Sequence, residues 1–371
     1  MKLTETRKKL KYIFSPLSIV LLAIFVLGLA VLFIARANTE FADFWNRYIA
    51  SVPRGALAYI TNIIPFSLAE TFIITLPLWI AVIIRYVIKH KVAARWSSTL
   101  RFSVTLLSIA SLMLSVLNLC FSPGYSTSSL DKKLDLERRK VTAEELYITG
   151  DMLTNELSRL AEQVNYSPDG ESFMPYTFGE MTKKLNEAYS ELCDDHSFIP
   201  RLYSRPKKVM LSEPWTYTHI AGVYTYFTGE ANVNVNFPDY TLPFTAAHEM
   251  AHQRGIARED EANFIAFLVC MESDDPYIRY SACLSMYEYV ANALYRADKD
   301  MYRQLYQNTD GRIKAEEAAY GRFFEKYKDN IAADVSGAVN DSYLQSQGQS
   351  EGSRSYGLVV DLAVAYILGE K

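Results

Sequence analysis

The chain divides into an apolar front and a polar rear. Pro16 to Ala35 is almost unbroken apolar sequence, flanked by Arg7, Lys8, Lys9 and Lys11 before it and Arg36 after it. Its length matches the roughly 20 residues a helix needs to cross a bilayer. Ile60 to Ile88 is a second apolar run, containing Pro65, Glu70 and Pro77; the glutamate marks a bend, a partner contact or a later start of the span. Phe102 to Phe121 is a third, in which Ser103, Ser108, Ser111 and Ser115 are expected to face other helices rather than lipid. No small-residue cleavage site follows the first run convincingly, so it reads as an anchor rather than a removable signal.

Basic residues orient these spans. Lys2, Arg7, Lys8, Lys9 and Lys11 precede the first, and Arg85, Lys89, Lys91, Arg95 and Arg101 lie between the second and third. The loop between the first two carries Arg36, Arg47 and Arg54, offset by Glu40 and Asp43. The positive-inside bias then puts the amino terminus in the cytoplasm and everything after Phe121 outside. The expected organisation is a multi-pass protein of the cytoplasmic membrane, with an anchor over residues 1–124 and an extracytoplasmic domain over residues 125–371.

In the polar rear the periodicity changes. Ser122 to Ser129 reads as a short polar linker, and helical spacing runs from near Leu130 to about Val164, supported by charged i,i+4 candidates in Asp135–Arg139. Ser167-Pro-Asp-Gly breaks it before a helix over Phe178–Cys193. Arg205–Ser212 and Gly222–Phe227 suggest short strands. Asn232-Val-Asn-Val-Asn-Phe alternates polar and apolar positions as a half-exposed strand does; an extended peptide could add to it as an edge, though packing in the sheet interior is the plainer account. Pro243 sits near the start of the next helix, with Thr241 or Asp239 as cap, and Gly255 ends it. Further helices are expected over Glu259–Met271, Pro276–Arg296, Glu316–Tyr327 and Tyr356–Leu368, the last too short, and too interrupted by Asp361, for a fourth span. Gln345–Ser355 reads as a mobile loop. The fold class is α+β: three amino-terminal transmembrane helices, then a mostly helical domain with a small sheet.

Composition narrows the function. A net charge of -4 without a basic stripe argues against nucleic-acid binding. Cys120, Cys193, Cys270 and Cys283 form no CxxC pair, so neither a disulfide framework nor a thiolate metal site is indicated.

The chemistry is concentrated at His248-Glu249-Met250-Ala251-His252. Imidazoles four apart lie on one helix face and can hold one Zn2+ ion, with Glu249 placed as general base toward a water. A third protein ligand is needed. Arg258 occupies the position where a short HExxHxxGxxH arrangement would have a histidine, which leaves Glu259, Asp260 and Glu261. Gly255 allows the backbone to reverse and bring one of them back. Glu259 and Asn263 share a helix face, so that one can ligate while the other orients a histidine; Glu261 lies about 200 degrees away and cannot serve together with Glu259. Glu259 is preferred and Glu261 is the alternative third ligand.

This motif with Gly255 and Glu259-Asp-Glu-Ala-Asn-Phe, behind three spans, resembles the bacterial membrane family catalogued as domain of unknown function 3810, over nearly the full chain. That family is grouped with zincin-type metallopeptidases, so the resemblance implies a zincin-like domain of undefined substrate. Glu259-Asp-Glu-Ala-Asn also resembles the Glu-x-x-Ala-Asn/Asp helix of gluzincins such as the membrane CAAX-prenyl proteases. There the first glutamate binds zinc, which implies Glu259 as ligand and matches Asn263 to the last position. The spacing from His252 is much shorter here.

Tyr356 and Arg354 are candidates to stabilise a tetrahedral oxyanion. His219 is more at home as a structural histidine than in a cleft, and His196 and His90 look unrelated to catalysis. The expected activity is zinc-dependent hydrolysis of a peptide or protein substrate at the bilayer. The competing readings are a non-catalytic zinc-binding sensor or scaffold, and an amidase acting on cell-envelope material.

Overall fold

Where the apolar runs begin and end is set by buried polar groups. The computed structural model describes residues 10–349 and 358–369. Among the described residues, three helices are long and apolar enough to cross a membrane. The first is α1 (Pro16–Ala37), capped by the Ser15 side chain, which accepts from Ser18 N–H. Helices α2 (Thr39–Phe44) and α3 (Ser51–Asn62), separated by a π-helical turn over Trp45–Ile49, lead to the second span, α4 (Leu68–Lys89). The third is α5 (Trp96–Cys120).

The second span thus starts eight residues later than the apolar run. Ser67 caps α4 by accepting from Glu70 N–H, and the Glu70 carboxylate accepts from the Met210 and Leu211 amides at 2.8 and 2.7 Å. Glu230 accepts from the Leu68 and Ala69 amides at 3.1 Å. The Lys207 ammonium holds the end of α3 by donating to Thr61 O and Ile64 O. Residues 60–67 are therefore tied to the domain, and Glu70 opens the span instead of interrupting it. Along α5, Ser108, Ser111 and Ser115 are buried as expected and donate to carbonyls of their own helix. Ser103 is exposed; five residues before Ser108, it lies about 140° round the helix.

Two helical expectations need correction. Ser122–Ser126 is a tight helical turn with Ser122, Pro123, Gly124 and Tyr125 buried, not a solvated linker. Its carbonyls find a partner in Arg258, which donates to Tyr125 O and Thr127 O. The helix expected over Leu130–Val164 is two: α6 (Leu130–Lys133) and α7 (Ala143–Ala161). Asp135 takes φ 55, and Arg139 pairs with Glu145, so the charge pattern of Asp135–Arg139 belongs to a connection. Thr142 and Glu145 form a capping box that starts α7 afresh, and Thr177 with Glu180 does the same for α8 (Phe178–Asp195).

The sheet has three strands in the order β1-β3-β2. Strand β1 (Lys207–Lys208) is followed by a short helix, α9 (Ser212–Thr216), then β2 (Gly222–Thr225) and β3 (Glu230–Val233). Strand β3 pairs in parallel with β1 and antiparallel with β2, and all four of its residues are buried. The strand is therefore not a half-exposed edge open to strand addition but packs in the sheet interior, the plainer of the two accounts. The Asn232 side chain is polar for an internal reason, donating to Val223 O, Thr225 Oγ1 and Glu230 O. Alternation in a sequence shows that two faces differ, not that one of them meets water.

The core lies among α10 (Thr241–Gln253), α11 (Glu259–Glu272) and α12 (Pro276–Ala297), with α7 and α8 against them. Neither Thr241 nor Asp239 caps α10: Thr241 donates to Pro238 O, and Asp239 accepts from Met174 N–H. Ser281 on α12 accepts from Phe244 N–H instead. Helices α13 (Lys299–Asn308), α14 (Gly311–Glu325) and α15 (Ile331–Ser346) follow; α13 and α15 are additions to the helices expected from the sequence. Much of Gln345–Ser355 lies outside the described residues, although Gln345 and Ser346 finish α15. Helix α16 (Val359–Leu368) packs on α7, α11 and α12 with Val359, Val360, Leu362, Ala363 and Val364 buried, as its length requires of a helix that cannot span.

These ties make a testable demand. Removing the carboxylate in Glu230→Ala strands two amides at the head of α4 and is expected to destabilise the protein by about 2–3 kcal/mol. Thermal unfolding of the detergent-solubilised protein measures it, and Glu230→Gln, which keeps one acceptor, should lose less.

Candidate metal centre

Helix α10 is buried from Ala246 to Gln253, which puts His248 and His252 one turn apart on an inward face. Their rings lie 4.5 Å apart and nearly perpendicular, at 88°. Tyr189 on α8 fixes the helix by donating to Ala247 O at 2.6 Å. The helix ends where Gly255 takes φ 93; Gly255 N–H donates to His252 O and Ile256 N–H to Ala251 O. A Cβ on Gly255 would run into the Arg54 guanidinium and lie 2.9 Å from Asn46 Oδ1. The glycine at this turn therefore answers both to its conformation and to the segment joining the first two spans.

The reversal starts α11 at Glu259. Its Oε2 lies 3.2 Å from His248 Nε2 and 3.3 Å from His252 Nε2. Potential ligand atoms of the three residues all lie within 4.8 Å of one another. Around a tetrahedral zinc with bonds of about 2.0–2.1 Å, neighbouring ligand atoms sit about 3.3 Å apart. His252 Nδ1 is 2.7 Å from Ile256 O, and because a carbonyl only accepts, Nδ1 carries the proton there. In the neutral ring that leaves the Nε2 lone pair facing Glu259. Glu259 Oε2 is buried and makes no hydrogen bond of good geometry among the described residues, despite the two nitrogens beside it. Lone pairs converging on one small space are what a cation requires, so the residues present fit a zinc-type ion.

The electrostatics agree in sign. Burial works against charge on His252, yet the Glu259 carboxylate outweighs it and raises the imidazole to about 9. Burial likewise opposes ionisation of Glu259, but the two imidazoles hold it well below the usual carboxylate range. The triad thus has a strong preference for positive charge between its members. Burial pushes Glu249 up to about 7, against the pull of both imidazoles. One side of this carboxyl is close against β2, where a Cβ on Gly222 would fall 2.6 Å from Oε1. Its Oε2 is buried with no hydrogen-bond partner among the described residues.

The other acidic candidates point elsewhere. Glu261 accepts from Leu130 N–H at 2.8 Å and pairs with Arg258 at 2.5 Å, while Asp260 pairs with Arg138 at 2.9 Å. Asn263 donates to the Tyr289 hydroxyl at 3.2 Å. Tyr356 and Arg354 lie outside the described residues. His219, at φ 60, donates to Tyr327 O at 2.7 Å and packs on Phe324, a structural position. His196 and His90 sit at the ends of α8 and α4.

Several neighbours of the triad were not foreseen. Phe121, directly after the third span, meets the His252 ring edge-on at 5.9 Å, and it packs with Tyr125, Tyr224, Ala257 and Leu344. Asn46 donates to Gly255 O at 3.0 Å, and Arg54 reaches Asn46, Cys120 O and Arg254 O. In the sequence Arg54 registers only as a charge in a loop; its single warning sign is an arginine within an otherwise apolar stretch.

The sequence model of the family described as Protein of unknown function (DUF3810) matches residues 45–364. No curated protein and no solved structure matches the chain.

Two outcomes are expected of the triad. Glu259→Gln should weaken zinc binding by at least about 100-fold, whereas Glu261→Gln should leave it nearly unchanged; isothermal titration of the purified protein separates them. Because a cation must displace the proton that His252 holds below about 9, zinc affinity should rise with pH, by about tenfold per unit between pH 6 and 8. Titrations in buffers of different ionisation enthalpy count the protons released.

Proposed function

The chain belongs to the DUF3810 family, whose description assigns no function, and we propose that it is a membrane-anchored, zinc-dependent hydrolase of peptide bonds. The metal ligands in this reading are His248, His252 and Glu259. When bound, a zinc-type ion lowers the pKa of a water and polarises a carbonyl.

The observation that carries the reading is the second carboxylate. Glu249 follows His248 directly, has a buried oxygen with no partner among the described residues, and is pushed to about 7. A group so poised can take a proton from water and return it to a leaving amine. A metal site that is only structural has no use for it. An open sheet edge near it supports a peptide substrate: β2 borders the sheet, and its Gly222 lies close against the Glu249 carboxyl. An extended peptide adding there would bring a carbonyl toward the triad. In this reading the domain faces the extracytoplasmic side, which the positive-inside bias supports, and amides of cell-envelope material belong to the same reaction class.

One observation suits a second reading at least as well. His248, Glu249, His252 and Glu259 are only 4–8% exposed, a degree of enclosure shared by metal sites that stabilise a partner-binding fold without hydrolysis. Glu249→Gln in the full-length protein decides between them. If the site is hydrolytic, the variant keeps its zinc and loses activity against a peptide library by about a hundredfold to ten-thousandfold. Zinc-loaded wild type that cleaves neither peptides nor envelope amides would leave the non-catalytic metal site as the function.

A further inference from the structure

Behind the metal helix lies a cavity of about 290 Å³ between α3 and α10, whose lining includes Arg54, Tyr59, Arg201, Leu202, Gln253 and Arg254. Two of its arginines are almost fully buried, Arg54 at 1% and Arg254 at 2% exposed. Their guanidinium groups donate to neutral acceptors: Arg54 to Asn46, Cys120 O and Arg254 O, and Arg254 to Met250 O and Leu202 O. Arg254 also stacks over the Tyr189 ring at 3.7 Å. Among the described residues neither makes an ion pair with a carboxylate, and the Nε of each is buried without a hydrogen-bond partner. Burial opposes the charge on both, and the groups that offset it are tyrosines and cysteines.

The carbonyl end of α10 compensates part of this charge. Two buried guanidinium ions lining one cavity without an acid remain an expensive arrangement, because arginine does not neutralise itself by losing a proton. A third, Arg201, stands at the surface, paired with Asp194. The cavity's other wall has a membrane context. Helix α3 joins the first two spans and exposes Val52, Ile60 and the adjoining Ile63 at 69, 61 and 82%. Such side chains suit the interfacial layer of a bilayer.

We propose that this cavity binds a phosphate group, through the positive field of Arg54 and Arg254 with Arg201 at the rim. The phosphate is either that of an anionic phospholipid headgroup or free in solution. Arg201 can meet a phosphate directly, whereas Arg54 and Arg254, whose terminal nitrogens already donate to neutral acceptors, contribute their charge. The proposal is independent of hydrolysis at the triad.

The test uses Gly55, which lines the cavity and where an added Cβ meets nothing within 4 Å. Gly55→Glu introduces a tethered carboxylate, and Gly55→Gln is its neutral counterpart of equal size and helix preference. Inorganic phosphate should raise the thermal midpoint of the detergent-purified wild type. It should bind Gly55→Glu at least about tenfold more weakly than Gly55→Gln, and without phosphate the Glu variant should be the more stable of the two. In nanodiscs, native mass spectrometry compares retention of phosphatidylglycerol with that of phosphatidylcholine. Selective retention of phosphatidylglycerol, lost in Gly55→Glu, identifies a lipid headgroup; phosphate binding without lipid preference identifies a soluble anion. The proposal is overturned if wild type binds neither, or if the Glu and Gln variants bind phosphate equally.

Discussion

The reversal at Gly255 is the constraint on which the rest of the structure depends. His252 and Glu259 are seven residues apart and sit on different helices, so they meet only if the chain turns back at once. A left-handed residue makes that turn, and the turn is enclosed. Asn46 and Arg54 hold its carbonyls from one side, while Gly124 approaches so closely that a Cβ there would lie 2.9 Å from Gly255 O and from Ala257 Cβ. The metal triad is therefore shaped by segments that border the membrane spans. This is why a site formed by α10 and α11 cannot be separated physically from the anchor.

The same logic runs through the other junctions. Glu70, Glu230 and Lys207 are buried charges whose partners are backbone amides or carbonyls across the boundary between spans and domain. Hydrogen bonds to a charged group contribute about 1.5–3 kcal/mol each when well made, and losing one side leaves the other stranded in a dry place. Such ties fix geometry more firmly than apolar packing, which tolerates sliding. A partition at residue 124 describes composition; the forces that position the site cross it.

At the triad, burial and charge act against one another, and the balance defines what the site can do. Desolvation alone would neutralise His252, Glu249 and Glu259. Because Glu259 faces both imidazoles, it stays ionised and draws positive charge into the space between them, while Glu249, one residue from His248, is left near neutrality. The two carboxyl groups are thereby driven in opposite directions, Glu259 below and Glu249 above the usual carboxylate range.

Periodicity and motif were enough to read the three spans, the histidine helix and the Gly255 stop, because these depend on spacing along a single helix or on one residue's backbone freedom. The chain by itself left Glu70 open between a bend, a partner contact and a later start of the span, could not decide between an edge and the sheet interior for Asn232–Phe237, ran one helix across Asp135 and saw a linker in Ser122–Ser129. In three of these places a polar group is satisfied by a partner distant in sequence: Glu70 by Met210, Asn232 by Val223, the Tyr125 carbonyl by Arg258. Local pattern reports how often polarity recurs, and only the tertiary structure decides whether water or another part of the chain satisfies it, since a buried donor or acceptor demands a partner without specifying which.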